Sequence, residues 1–292
     1  MLTVVLTGCG FTSAASVNTE SGAVEATSGT VTSTRTLDID GMQRSYLVVA
    51  PSGATGPLPL VVVLHGRAVT VQQEQIRTDF GPLAGSGQAI LVYPAGYQQS
   101  WNAGGGCCGG AQSANVNDTA FLTSVVTAVE GSLNVDASRV YLVGYSNGAR
   151  MAFTEICAHP TLFAAFAEFG GVPMRTCGDT SQTVPALISA GTADPELPQP
   201  PKTTTQVVDA VVSLWRSRDR CANTSTSSTA NPAKIQLWSR CAAGSAVESV
   251  LYNGFNHYWP RATQSGIPFN TAVGKAAAAE TLMWSFLSAH HR

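Results

Sequence analysis

Charge is scarce in this chain. Asp, Glu, Lys and Arg make up 12% of its 292 residues, and 18 acids nearly balance 16 bases. Globular proteins ordinarily carry about a quarter charged residues. With a net charge of −2 there is no basic surplus to neutralise phosphates, so a nucleic-acid partner is not expected. Long apolar runs are missing too: none approaches the roughly 20 residues that cross a bilayer. No internal repeat appears, which argues against a solenoid. What is present is 28 glycines, abundant Ser, Thr and Ala, and a hydrophobic fraction of 44%, enough for a sizeable core. A low-charge, Ser/Thr-rich surface suits a secreted protein.

Lys and Arg are also absent ahead of the apolar start, Met1-Leu2-Thr3-Val4-Val5-Leu6-Thr7-Gly8-Cys9. That start resembles the end of a bacterial lipoprotein signal, Leu-x-Gly-Cys, cut before a cysteine that carries lipid. Residues 1–8 are then a signal remnant, and an ordinary secretory remnant is the alternative. Cys9 is the expected lipidation site and the only membrane attachment. Setting it apart leaves Cys107, Cys108, Cys157, Cys177, Cys221 and Cys241, an even number, as an extracytoplasmic compartment allows. From Phe11 to Ser33 the chain is nearly all small and polar and reads as a flexible tether.

Order is expected from Thr34. Asp40-Gly41 between two alternating runs predicts a hairpin. Leu60–Leu64 and Ala89–Tyr93 are continuous apolar runs, as strands buried on both faces of a parallel sheet require. Asn117 or Asp118 caps a helix bearing Phe121, Leu122, Val125, Val126 and Val129. Strands follow at Val140–Val143, Phe163–Phe169 and Val184–Ala190, a helix at Lys202–Arg218, and a last strand at Val247–Tyr252. Cys221–Cys241 encloses a polar loop, and a terminal helix carries Leu282, Met283, Phe286 and Leu287. Alternating strands and helices predict one α/β domain over 34–292, doubly wound on a mostly parallel sheet.

The chemistry centres on Gly144-Tyr145-Ser146-Asn147-Gly148. A β-branched run stops at a serine flanked by glycines, and helix-permissive residues follow. This is G-x-S-x-G in its required strand–turn–helix setting, where the glycines let backbone pack too closely for a Cβ. A serine hydroxyl needs a base, itself oriented by an acid. His65 precedes the nucleophile and more plausibly braces its loop. His159 lies roughly 18 Å along the elbow helix, and His290 and His291 sit at the C-terminus. His257 alone follows a late strand, where the order Ser…Asp…His wants it. Asp194 closes the strand after the elbow unit and is the expected acid. Asp179 is its main competitor, Asp209 and Asp219 belong to or end a helix, and Asp118 reads as a cap. The oxyanion hole needs two N–H donors, for which Asn147 and Arg67 are the candidates.

These residues also resemble a family. Val63-Leu64-His65-Gly66, Trp101-Asn102-Ala103-Gly104 with the Cys107-Cys108 pair, Asn115–Asp118, the elbow, Gly191–Asp194 and Asn256–Pro260 are similar to the polyhydroxybutyrate depolymerase-like and feruloyl esterase group of α/β-hydrolases, carbohydrate esterase family 1. The resemblance runs from about Ser45 to the C-terminus. It implies a serine esterase without metal or cofactor, acting on short acyl, 3-hydroxyalkanoate or hydroxycinnamoyl esters, with Ser146, Asp194 and His257 as triad. It also implies a Cys221–Cys241 disulfide. The other four cysteines allow three pairings, and a bond within Cys107-Cys108 is awkward for ordinary geometry. Arg67 departs from the family, where a small or aromatic residue follows His-Gly; it would narrow the acyl pocket, attract an acidic group, or point to solvent.

Trp101, Trp259 and Tyr145 are candidate substrate contacts, and core packing is the equal alternative for either tryptophan. The expected protein is therefore an extracytoplasmic, monomeric serine esterase of small or oligomeric esters. A polyester depolymerase is the alternative, and a non-catalytic envelope binding lipoprotein the rival from another class.

Overall fold

The computed structural model describes residues 25–27, 29–178, 181–197 and 201–292. Cys9, most of the expected tether and Asp179 lie outside them. In chain order the elements are β1 (Glu25–Thr27), β2 (Thr30–Ile39), β3 (Met42–Pro51), β4 (Leu58–Leu64), α1 (Val71–Thr78), α2 (Gly81–Gly85) and β5 (Ile90–Pro94). Then come α3 (Gly109–Ser113), α4 (Asp118–Glu130), β6 (Val135–Tyr145), α5 (Asn147–Ala158), β7 (Ala165–Phe169), β8 (Ala186–Gly191) and α6 (Thr204–Arg218). The chain ends with β9 (Thr226–Ala230), β10 (Ala233–Trp238), β11 (Val247–Tyr252), β12 (Trp259–Arg261), β13 (Asn270–Ala272) and α7 (Ala279–Leu287).

One sheet takes the order β1-β2-β3-β5-β4-β6-β7-β8-β11-β10-β9. Its middle, from β5 through β4, β6, β7 and β8 to β11, is parallel. Antiparallel strands flank it on both sides. The apolar runs explain the burial. Along β4, Leu60, Val62 and Leu64 face one core, and Val61 and Val63 face the other. Helices α4, α5 and α6 cover the first face with Phe121, Val125, Met151, Phe153, Val212 and Trp215. Helices α2 and α7 cover the second with Ala84, Met283, Phe286 and Leu287. A sheet wrapped on both faces leaves the carboxyl edge of its parallel strands as the place for chemistry.

The hairpin at Asp40-Gly41 forms as expected. Both residues take left-handed φ, 54° and 80°, and the Gly41 N–H donates to Asp38 Oδ1 at 2.9 Å.

Four expectations need correction. Order begins before Thr34, because the Thr/Val-rich run from Thr30 extends β2 and pairs with β1. The span Cys221–Cys241 is not only loop: β9 and β10 form a hairpin there. Strand β9 is exposed along most of its length, so it lacks the alternation that marks a half-buried strand. Val247–Tyr252 is not the last strand, since β12 and β13 pair in a separate two-stranded sheet. Finally, Asn117 caps α4 by accepting from the Ala120 N–H, whereas Asp118 is buried in an ion pair with Arg44 at 2.7 Å.

The disulfides join Cys221 to Cys241, Cys157 to Cys177, and the neighbours Cys107 and Cys108. The first agrees with the family resemblance, and the vicinal pair is bonded despite its proximity in sequence. Closing the loop ending at Cys241 stabilises by about 3 kcal/mol in the chain-entropy model.

Candidate active site

Strand β6 ends at Tyr145, and the chain turns sharply into α5 through Ser146, whose φ of 56° and ψ of −116° are strained for a residue with a Cβ. The turn is held because the Ser146 N–H donates to the Phe169 carbonyl at 2.9 Å. Both flanking glycines are required. A Cβ on Gly144 would sit 2.5 Å from the Gly148 oxygen, and one on Gly148 would run into the Leu64 carbonyl. The elbow therefore forms only where backbone approaches backbone, as the motif requires.

Two loops at the same sheet edge complete the arrangement. His257 follows β11, and its Nε2 stands 2.8 Å from Ser146 Oγ. Its Nδ1 stands 2.6 Å from Asp194 Oδ2. Asp194, after β8, is 1% exposed and its other oxygen accepts the Glu196 N–H at 2.8 Å. The acid and base loops are bonded to each other: Ala193 N–H donates to the Phe255 carbonyl, and Gly254 N–H to Thr192 Oγ1, both at 2.8 Å. The chain order Ser146, Asp194, His257 thus becomes one continuous hydrogen-bonded line.

Neither the Arg67 nor the Asn147 backbone N–H bonds to another described group. The Asn147 side chain is occupied instead: its Oδ1 accepts the Trp101 N–H at 2.7 Å and its Nδ2 donates to the Trp101 carbonyl at 3.1 Å. That exchange fixes the Trp101–Cys108 loop beside the elbow.

The tryptophans are the clearest correction. Trp101 and Trp259 are both 0% exposed, so neither can offer a face to substrate. Trp101 Nε1 donates to the His65 carbonyl at 2.9 Å, and Trp259 packs edge-on against Tyr145 and Phe169. Tyr145 is buried too, and its hydroxyl donates to the His257 carbonyl at 2.9 Å. That bond braces the His257 loop, and the buried ring leaves little surface for a ligand. The exposed aromatics beside His257 are Tyr258 and Phe269, whose rings meet edge to face with centroids 5.6 Å apart. Sequence reasoning missed both, although Tyr258 adjoins the base.

Two further residues escaped notice. Gly170, just past β7, has a φ of 72°, and a Cβ there would lie 2.8 Å from His257 Cε1 and 3.0 Å from Nδ1. Glu168 is wholly buried within β7 and accepts the Gly171 and Ser189 N–H groups. Burial pushes its carboxyl well above the usual range. It sits inside a run read simply as an apolar strand. The close-packed glycine yields an expected result: Gly170→Ala lowers kcat about 100-fold through displacement of the imidazole. The left-handed backbone adds a stability loss of about 1 kcal/mol. Stopped assays and denaturant melts separate the two effects, and an unchanged kcat would refute the packing role.

His65 has the bracing part expected of it. It is buried, its Nε2 accepts the Gly96 N–H at 2.8 Å, and its Nδ1 faces the Gly66 carbonyl at 2.8 Å. Burial pulls its pKa down to about 4 from 6.5. A histidine held neutral when folded contributes stability that is whole above pH 6.5 and is lost as pH falls toward 4. Wild type should therefore lose about 2–3 kcal/mol relative to His65→Gln between pH 7.5 and 4.5. Urea midpoints at the two pH values measure it; a gap independent of pH would contradict it.

The chain matches the family described as Esterase PHB depolymerase over residues 44–195. The chain belongs to this PHB depolymerase family. The matched segment holds Arg67, the elbow and Asp194, whereas His257 lies beyond it. NocK of Nocardia uniformis subsp. tsuyamanensis, an esterase by name, is 26% identical over 83% of this chain and 77% of its own. Feruloyl esterase C of Emericella nidulans is 28% identical over 53% of this chain and 56% of its own, so the chain spans little more than half of that relative. Among solved structures, the acetyl xylan esterase of Aspergillus awamori superposes with a TM-score of 0.59 at 12% identity, covering 77% of this chain and 93% of that one. This last likeness concerns the fold, an α/β-hydrolase. PHB depolymerase-family membership and the fold both agree with the reading of the sequence.

Proposed function

We propose that this PHB depolymerase-family esterase hydrolyses carboxylic esters through an acyl-enzyme on Ser146. The observation that carries the reading is the unbroken line from Ser146 Oγ through His257 to the buried Asp194. His257 takes the serine proton as Oγ attacks the ester carbonyl. It returns that proton to the leaving alcohol, then activates water for the second step. Asp194 keeps the imidazole in the tautomer that presents Nε2 to the serine. The free N–H groups of Asn147 and Arg67 receive the oxyanion. Hydrolysis of 4-nitrophenyl acetate tests the reading; no turnover by pure, folded protein would overturn it.

Substrates are feruloyl, acetyl or short hydroxyalkanoate esters rather than solid polymer. The exposed Tyr258–Phe269 pair beside the base offers an apolar face to a planar acyl group. A panel of methyl ferulate, 4-nitrophenyl acetate and hydroxybutyrate oligomers ranks these classes. Replacing Tyr258 and Phe269 together by Ala should raise KM for methyl ferulate about tenfold more than for the acetate. Equal effects on both esters would remove the pair from substrate binding. A clear zone on polymer emulsion without ferulate release would instead favour the polyester.

The same reading places the enzyme outside the cytoplasm, because three disulfides persist where thiols are oxidised. Cys9 is the proposed lipid attachment, with the segment between it and β1 as anchor and tether and the catalytic domain beginning at β1. Mass spectrometry of membrane-extracted protein detects the acylated Cys9 peptide or its absence.

A further inference from the structure

Arg150 is a half-buried guanidinium without a counter-ion. Among the described residues no carboxylate lies within ion-pair distance of it. Its Nε is buried and bonds to nothing. Its Nη1 meets only the sulfurs of Cys107, at 3.3 Å, and Cys108, at 3.8 Å. Disulfide sulfur is a weak acceptor, so the desolvation of this cation is left largely uncompensated.

The position of the charge matters. Arg150 lies one helical turn past the nucleophile, and its N–H donates to the Ser146 carbonyl at 3.1 Å. Long side chains on a helix lean toward its N-terminus, which here is the elbow. The contact with Cys107 confirms that direction, because Asn147 Nδ2 approaches the same sulfur at 3.8 Å. Glu196 and Asp194 favour the Arg150 charge and Arg67 opposes it, so each of the three lies within electrostatic range of Arg150. Asp194 is committed to His257 and the Glu196 N–H, and Glu196 itself is exposed. Arg67 is exposed and lies along Gly109 of the same loop that Arg150 touches. Two guanidinium groups therefore flank one loop at the nucleophile, and among the described residues neither is in an ion pair.

We propose that Arg150 and Arg67 form a carboxylate-recognition site beside Ser146, selecting esters that carry a carboxylate near the scissile bond. Arg presents paired N–H donors that match a carboxylate's two oxygens. An anion seated there would neutralise the buried charge while its ester carbonyl lies at the oxyanion donors. This inference rests on the serine-esterase reading of the same site.

The test uses matched pairs of esters. Mono-4-nitrophenyl adipate against 4-nitrophenyl hexanoate places the carboxylate on the acyl side. 3-Butyryloxybenzoate against 3-methylphenyl butyrate places it on the alcohol side. In at least one pair, wild type should prefer the carboxylate member about tenfold or more in kcat/KM. That ratio should fall toward one in Arg150→Gln and in Arg67→Gln, and be partly kept in Arg150→Lys. Because the ratio is taken within one protein, a general loss of activity does not imitate the effect. The exposed Arg67 supplies a second variant should Arg150→Gln fold poorly. A wild-type ratio at or below one in both pairs, or a preference that survives both Gln variants, would overturn the site. Failure to hydrolyse even the neutral members would instead reject the esterase reading beneath it.

Discussion

Ser146→Ala should abolish measurable ester hydrolysis, lowering kcat by about a million-fold, while the fold stays intact. The size follows from the chemistry. Among the described residues Ser146 Oγ is the one hydroxyl bonded to the His257 ring, so the variant is left with binding and the oxyanion donors alone. The alanine meets no new steric demand, since the strained φ of 56° is already borne by a residue with a Cβ. Its thermal midpoint should match wild type, and a fluorophosphonate probe that labels wild type should leave it unlabelled. Labelling at another residue, or retention of wild-type rate, would refute the nucleophile. A wild-type protein that resists the probe would revive the reading of the fold as a binding lipoprotein.

Asp194→Asn should cost about ten-thousand-fold in kcat with little change in KM. The carboxylate oxygen 2.6 Å from His257 Nδ1 obliges that nitrogen to carry the proton and Nε2 to present its lone pair to Ser146. An amide aimed by its N–H₂ would favour the opposite tautomer and leave the base protonated on the wrong side. The pH profile separates this from simple disorder. At alkaline pH, alternative proton acceptors should restore part of the rate in the Asn variant. A loss of only a few-fold at neutral pH would transfer the role to another acid.

Much of this site could be read from the chain because its residues carry local signals. The elbow declares itself through two glycines that backbone contacts require. His257 and Asp194 each end a strand–loop unit in the expected order. What could not be read depended on partners distant in sequence. Trp101 and Trp259 have the same side chain whether they face solvent or core; only the packing around Tyr145 and His65 decides that they are buried. Tyr258 carries no local signal that sets it apart from Trp259, because strand alternation after His257 begins without any marker. Gly170 looks like any loop glycine until the imidazole is placed against it. Helix α1 has no apolar stripe, since it buries the ion pair of Glu74 and Arg77, 2.6 Å apart; the Thr70–Gln73 capping box is its legible trace. Likewise β9 is all Thr, Ser and Ala, and its pairing is backbone work that side chains do not advertise.

Trp259 lies two residues after His257, sunk between Tyr145 and Phe169, and its backbone N–H donates to the Phe269 carbonyl at 3.0 Å. On the other side of the base, Gly254 and Phe255 are bonded to the Asp194 loop. The imidazole is thus clamped from both chain directions, and the indole works as a rivet between it and the segment 262–269 that follows. Substitutions within that segment are therefore expected to raise KM through the Tyr258–Phe269 pair before they lower kcat; a fall in kcat at unchanged KM would contradict this.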